Sequence, residues 1–255
     1  MSLNSIIEEV LKAIPKVDKI LEEALKELGL EKASSEEIFR RFDFYVSQLE
    51  ATAFKIYSKY EDEAFNKLKN LWVETNSGRL KQIIREEEID SLSQLLTDLI
   101  QVARHMEFRL GNVRKARGGA TFQKIVKVLL NMAGVPCEEP HKETKAVLKR
   151  IDLVSPDAQT AKDTPDKAIF LAIKRTLRER WKQVVPEHMK GARLYLITLN
   201  HKCSAKKANE IKETGMVAYV KDELKDKPHL KDKTWIRKLS KLPKDIRNTV
   251  PAKKL

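Results

Sequence analysis

Two side chains that could act on one phosphate stand 22 residues apart, Asp152 and Lys174. Residues 169–173 (Ile-Phe-Leu-Ala-Ile) form an apolar run too continuous for a solvent-facing strand, so it predicts a buried central strand that ends on Lys174. Residues 149–156 (Lys-Arg-Ile-Asp-Leu-Val-Ser-Pro) predict a second short strand carrying one acid, Asp152. A phosphodiester repels hydroxide. Its hydrolysis is helped by carboxylates that gather a divalent cation, and by an amine that orients or deprotonates the attacking water and offsets charge on the phosphorane. Past Lys174, Thr176 can cap a helix on which Leu177, Trp181, Val184 and Val185 recur at helical spacing, while Arg175, Arg178, Glu179, Arg180 and Lys182 take its more polar faces.

The spacing is that of the PD-(D/E)xK nucleases, with Ile151 in place of the proline and Ala172 in place of the second acid. A longer resemblance supports it. Residues 174–187 (Lys-Arg-Thr-Leu-Arg-Glu-Arg-Trp-Lys-Gln-Val-Val-Pro-Glu) resemble the signature of type II restriction endonucleases of the EcoRII catalytic-domain and PspGI kind: Lys-x-Thr, a basic-acidic-Arg-Trp cluster, and a Glu thirteen residues after the Lys. Residues 117–123 (Arg-Gly-Gly-Ala-Thr-Phe-Gln) resemble that family's Arg-x-Gly-x-x-Phe-Glu segment.

The resemblance implies a catalytic set of Asp152, Lys174, Glu187 and Gln123, with Asp152 and Glu187 as ligands of Mg2+. At Gln123 the family places a further acid, so a neutral amide stands there. It further implies that Arg117, Arg175, Arg178, Glu179, Arg180 and Lys182 contact double-stranded DNA. The Arg178-Glu179-Arg180 cluster would read consecutive G·C pairs, since Arg donates to guanine O6 and N7 and Glu accepts from cytosine N4. The implied protein is a homodimeric restriction endonuclease of a restriction-modification system, cutting a short palindromic or pseudopalindromic site with GG/CC arms of the CCWGG or CCNGG kind. Two alternatives stay open: a repair, junction-resolving or RNA-processing nuclease on the same core, and a DNA-binding relative without catalysis.

Charge divides the chain. Residues 1–112 hold 16 Lys/Arg against 21 Asp/Glu, net −5, whereas residues 113–255 hold 34 against 16, net +18. A field concentrated in one part favours a polyanion such as nucleic acid. The two cysteines, Cys137 and Cys203, have no metal-site spacing and are too few for a disulfide framework, so they read as reduced thiols. No apolar run is long enough for a membrane span, and the expected location is cytoplasmic, with no organic cofactor.

The expected fold class is α/β (α+β): a helical N-terminal part followed by a restriction-endonuclease-like mixed β-sheet core flanked by helices. Residues 1–112 should be an acidic all-helical part, 113–220 the nuclease core and 221–255 a basic tail with one amphipathic helix. Ser34 with Glu37 signals a capping box for a helix over 36–73, and Leu92, Leu95, Leu96, Leu99, Val102, Met106 and Leu110 mark another from Ser91. Apolar stripes of this part are core or a dimer surface. Beyond Gly118-Gly119 a fresh helix should start at Thr121, with 216–220 as the final strand.

Overall fold

The computed structural model describes residues 3–143, 151–177 and 193–250. The signature cluster Arg178, Glu179, Arg180, Trp181 and Lys182, together with Glu187, lies outside the described residues. By internal contacts the chain forms two units, Met1–Glu27 with Ala51–Arg117, and Leu28–Glu50 with Gly118–Leu255. The stretch Leu28–Glu50 thus groups with the second unit rather than with the helical part to which the sequence assigned it.

The first unit is helical: α1 (Leu3–Lys12), α2 (Val17–Glu27), the later part of α4 (Phe42–Thr75), α5 (Ser77–Glu86) and the first part of α6 (Ile89–Met132). Its buried apolar residues include Ile7, Val10, Leu21, Ala24, Ile56, Leu68, Val102 and Met106. Arg114 ties α6 to α4, donating to both oxygens of Glu61 at 2.7 and 3.0 Å. The leucines expected to form one stripe on α6 belong to two faces. Leu95, Val102, Met106 and Leu110 are buried, while Leu92 and Leu96 are exposed.

The second unit opens on α3 (Ser35–Arg40), whose cap is as expected: Ser34 accepts from the Glu37 N–H at 3.1 Å. The single helix expected over 36–73 breaks at Arg41, and α4 starts at Phe42. A second correction concerns α6, which runs unbroken for 44 residues through Gly118 and Gly119, so Thr121 starts no new helix. A glycine inside a helix costs only about 1 kcal/mol relative to alanine, and no proline interrupts the run. Gly118 also has a packing reason, because a Cβ there would sit 2.9 Å from Nη1 of Arg175.

The sheet follows in the order β1 (Leu153–Ser155), β2 (Ile169–Ile173), β3 (Arg193–Ile197), β4 (Val217–Val220) and β5 (Ile236–Lys238). The β1 strand is antiparallel to β2 and the other neighbours are parallel, which makes the sheet mixed, as expected. Between the strands lie α7 (Ala158–Asp163), α8 (Ala205–Glu213, capped by Ser204), α9 (Asp222–Lys225) and α10 (Pro228–Lys231), with α11 (Leu242–Thr249) at the end. All five residues of β2 are buried; Phe170 and Ala172 share one cluster with Leu194, Leu196, Ala208 and Ile211. Ahead of β1, Glu138 makes an isolated antiparallel bridge to Val154.

The region from Lys221 on is not the expected tail with one helix, nor is β4 the final strand. Trp235, Ile236, Leu239 and Leu242 do fall at helical spacing, but Ile236 enters β5, registered against Ala218. Leu239, Leu242 and Ile246 are buried, and Asp245 accepts from the Tyr219 hydroxyl at 2.8 Å and pairs with Arg237 at 2.9 Å. Three residues carrying one inward side chain are too few to show a strand period. The two thiols are free and buried, and burial pushes Cys137 up to about 12. No described helix is long and apolar enough to cross a membrane.

One acid of this unit works against stability. Burial first, then the Asp222 charge, pushes the Asp43 carboxyl up to about 6, and its Oδ1 is buried without a hydrogen bond. A folded-state value above the unfolded one of about 3.9 means that folding favours the protonated acid, so stability falls as pH rises from about 4 through about 6. Asp43→Asn should therefore raise the melting temperature at pH 8 by about a degree or two, a small shift because the group is partly solvated. The gain should vanish at pH 4. Thermal melts at the two pH values check this, and an equal difference at both would contradict it.

Candidate active site

The strand ends bring Asp152 and Lys174 together. Asp152 precedes β1 and is fixed by its backbone, whose N–H donates to the Leu171 carbonyl of β2 at 2.9 Å. Lys174 follows β2, with its own N–H on the Ile197 carbonyl of β3 at 2.8 Å. Antiparallel pairing of β1 with β2 thus puts the start of one strand beside the end of the other. Lys174 Nζ donates to Asp152 Oδ2 at 2.7 Å, with the two side chains 25% and 12% exposed.

Two further donors hold the same carboxylate. The Ile173 N–H reaches Oδ2 at 2.6 Å, and Gln123 Nε2 reaches Oδ1 at 2.5 Å from the second half of α6. Charge-assisted bonds of this kind are stronger than neutral ones and fix the carboxylate's direction. A cavity of about 250 Å3 lies against the carboxylate, lined among others by Gln123, Lys124, Lys127, Glu139 and Asp152.

These residues suit a hard divalent cation. Magnesium is commonly held by one or two carboxylates, with water and substrate phosphates completing its oxygen shell. Asp152 offers one carboxylate at a cavity wall, and the amide of Gln123 adjoins it. Among the described residues no group of three or more His, Cys, Asp or Glu gathers that could hold a metal by itself. Glu187, the other expected ligand, is outside them.

Of the expected DNA-contacting residues, the two that are described fall in two places. Arg175, half exposed, pairs through Nε with Glu50 Oε1 of α4 at 2.7 Å. Arg117 belongs to the first unit, where it donates to the Pro15 carbonyl at 2.5 Å and stands over the Tyr57 ring at 5.3 Å. Sequence reasoning missed the Ile173 N–H, the partner Glu50, and the cavity residues Lys124, Lys127 and Glu139. For Lys127 a signal existed, since it lies one helical turn past Gln123 and so on the same face.

A mixed sheet that carries an acid and an amine on adjacent strand ends, with helices about it, is the fold of a restriction endonuclease. A family model described as EcoRII C terminal matches residues 80–242, and the chain belongs to that family. The type II restriction enzyme SsoII of Shigella sonnei is 25% identical over 215 residues, which cover 78% of this chain and 67% of that enzyme. Among solved structures, metal-depleted Ecl18kI in complex with uncleaved DNA superimposes with a TM-score of 0.81 at 18% identity, over 98% of this chain and 85% of that one. The complex of the restriction endonuclease PspGI with substrate DNA gives 0.65 at 21% identity, over 93% of each chain. Both share the fold. The chain is accordingly an enzyme of the type II restriction class, a site-specific deoxyribonuclease.

Proposed function

We propose that the chain acts as a homodimer and, with Mg2+, cuts both strands of a short two-fold-symmetric DNA site with GG/CC arms, of the CCWGG or CCNGG kind. The observation that carries this reading is the convergence of Lys174, Gln123 and the Ile173 N–H on the one carboxylate of Asp152. It fits the acid and amine of a PD-(D/E)xK centre. The arms rest on the resemblance of residues 174–187 to the family signature, and the dimer on matching protein symmetry to site symmetry.

Each residue of the site has a task that its geometry suits. Asp152 would hold the cation together with Glu187, and its three hydrogen bonds keep the carboxylate from turning away. When bound, the cation offsets phosphate charge and lowers the pKa of coordinated water. Lys174, 2.7 Å from Asp152, is placed to orient the attacking water and to balance the negative charge that grows on the phosphate oxygens. Arg178, Glu179 and Arg180 would contact base edges, with Arg117, Arg175 and Lys182 on the DNA backbone. For Arg175 this requires exchanging Glu50 for a phosphate.

The amide at 123 has a measurable consequence. Its Nε2 is 2.5 Å from Asp152 Oδ1, so Gln123→Glu would set a second carboxylate beside the first. Two carboxylates draw a cation more strongly than one, and the magnesium concentration for half-maximal cleavage should fall, roughly severalfold. A titration of cleavage against magnesium reads this directly; an unchanged midpoint means that the side chain is beyond the cation's reach.

The function itself is tested with defined duplexes, one carrying CCWGG, one CCNGG and one with scrambled arms, each in magnesium and in chelator. Cutting should require magnesium and one of the two GG/CC sites. Equal cutting of the scrambled duplex, or of any duplex in chelator, would refute it.

A further inference from the structure

On the first unit, α6 presents a stripe that its own fold leaves uncovered: Ile89, Leu92, Leu96 and Ile100 are 80, 39, 49 and 53% exposed. Large apolar side chains that are contiguous and exposed mark interaction sites. At 3.6 residues per turn these four lie within about 80° of one another around the axis, with Ala103 inside the same sector. The spacing is itself symmetric. Counted from Leu96, the apolar positions fall at −7, −4, 0, +4 and +7. A stripe that reads the same in both directions is the pattern that an antiparallel copy of itself would match, residue for residue.

Charge selects the same orientation. The stripe begins beside Glu86, Glu87, Glu88 and Asp90 and ends at Arg104. Parallel pairing would oppose the two acidic ends, whereas antiparallel pairing sets each acidic end towards Arg104 of the other copy. A two-fold axis makes such an interface isologous, with one patch serving both partners. We infer that this face of α6 pairs antiparallel with the same face of a second copy of the chain, about a two-fold axis at Leu96, with Leu92 against Ile100 and Ile89 against Ala103. The inference gives a surface to the dimer proposed above and rests on that reading.

Cysteine cross-linking tests the register. Packed helices 8–10 Å apart place a residue on the axis roughly 4–5 Å from its copy, Cα to Cα, within reach of a disulfide. The native thiols are buried and should stay silent. Leu96→Cys should therefore cross-link to a covalent dimer on mild oxidation. Leu92→Cys alone should not, because its copies stand about 12 Å apart along the axis, but mixing it with Ile100→Cys should give the mixed dimer. Leu96→Asp, which sets like charges on the axis at an exposed position, should sediment as a smaller species than the parent with unchanged helical circular dichroism. No cross-link at 96, or a Leu92→Cys variant that cross-links to itself, overturns the register. If the parent sediments as a dimer and Leu96→Asp does so equally, the surface is wrong and the dimer stands. If the parent is a single copy with and without DNA, the dimer reading fails as well.

Discussion

Asp152→Ala and Lys174→Ala are each expected to reduce cleavage by orders of magnitude while leaving DNA binding nearly intact. The asymmetry follows from what each side chain does. Binding by a protein whose residues 113–255 carry a net charge of +18 should draw mainly on phosphate contacts, and neither substitution removes more than one charge. In the proposed mechanism the chemical step depends on a carboxylate held by three donors and on the ammonium 2.7 Å from it. In that mechanism, losing Asp152 would remove the anchor for the cation and the carboxylate beside Lys174, whereas losing Lys174 would leave the carboxylate in place with no amine to guide water. The two variants should thus fail differently: added magnesium should not rescue Lys174→Ala, and Lys174→Arg should rescue little, because the planar guanidinium fork does not reproduce the compact ammonium that would orient the water. Single-turnover cleavage and filter binding on one duplex separate the effects. Substantial cutting by either folded alanine variant would remove the assignment.

The second large effect concerns specificity. Arg178 and Arg180 are two residues apart, about 200° around a helix, and so cannot meet the same base edge. One would read a base pair and the other a neighbouring pair or a phosphate. Replacing a base-reading arginine with alanine should cost roughly 1–3 kcal/mol on the cognate site alone, while removing a phosphate contact weakens cognate and random DNA alike. At least one of Arg178→Ala and Arg180→Ala should lose discrimination against sites altered in the G·C arms, and Glu179→Ala should behave as the reader does. Binding is compared at one fixed salt concentration, since salt weakens the electrostatic part for every sequence. Unchanged preference in all three variants would mean that the reader lies elsewhere.

What could be read ahead of the structure was whatever leaves a local trace. The apolar run of β2 announces a strand buried on both faces, and Ser34 and Ser204 announce their helices through a hydroxyl that accepts from an N–H three residues on. The pairing of Asp152 with Lys174 was legible because two strands fix the distance between their ends. Gln123 was legible only through the resemblance, since nothing local on a helix says that it faces an acid 29 positions away. Features settled by distant packing were lost. Gly118 looks like a helix break, yet its missing Cβ admits Arg175. Ile236 looks helical, yet it completes a sheet edge next to Ala218. Leu92 and Leu95 look like one stripe, yet only Leu95 has neighbours to cover it.

The central claim, that this chain cuts DNA at one symmetric GG/CC-containing site, is tested most directly by digesting unmethylated phage DNA with purified protein and magnesium and sequencing the fragment ends. Discrete fragments are expected, with every end falling in one short sequence that reads the same on both strands and carries GG/CC arms. Ends scattered without a common sequence, or ends confined to single strands or branch points, would contradict it.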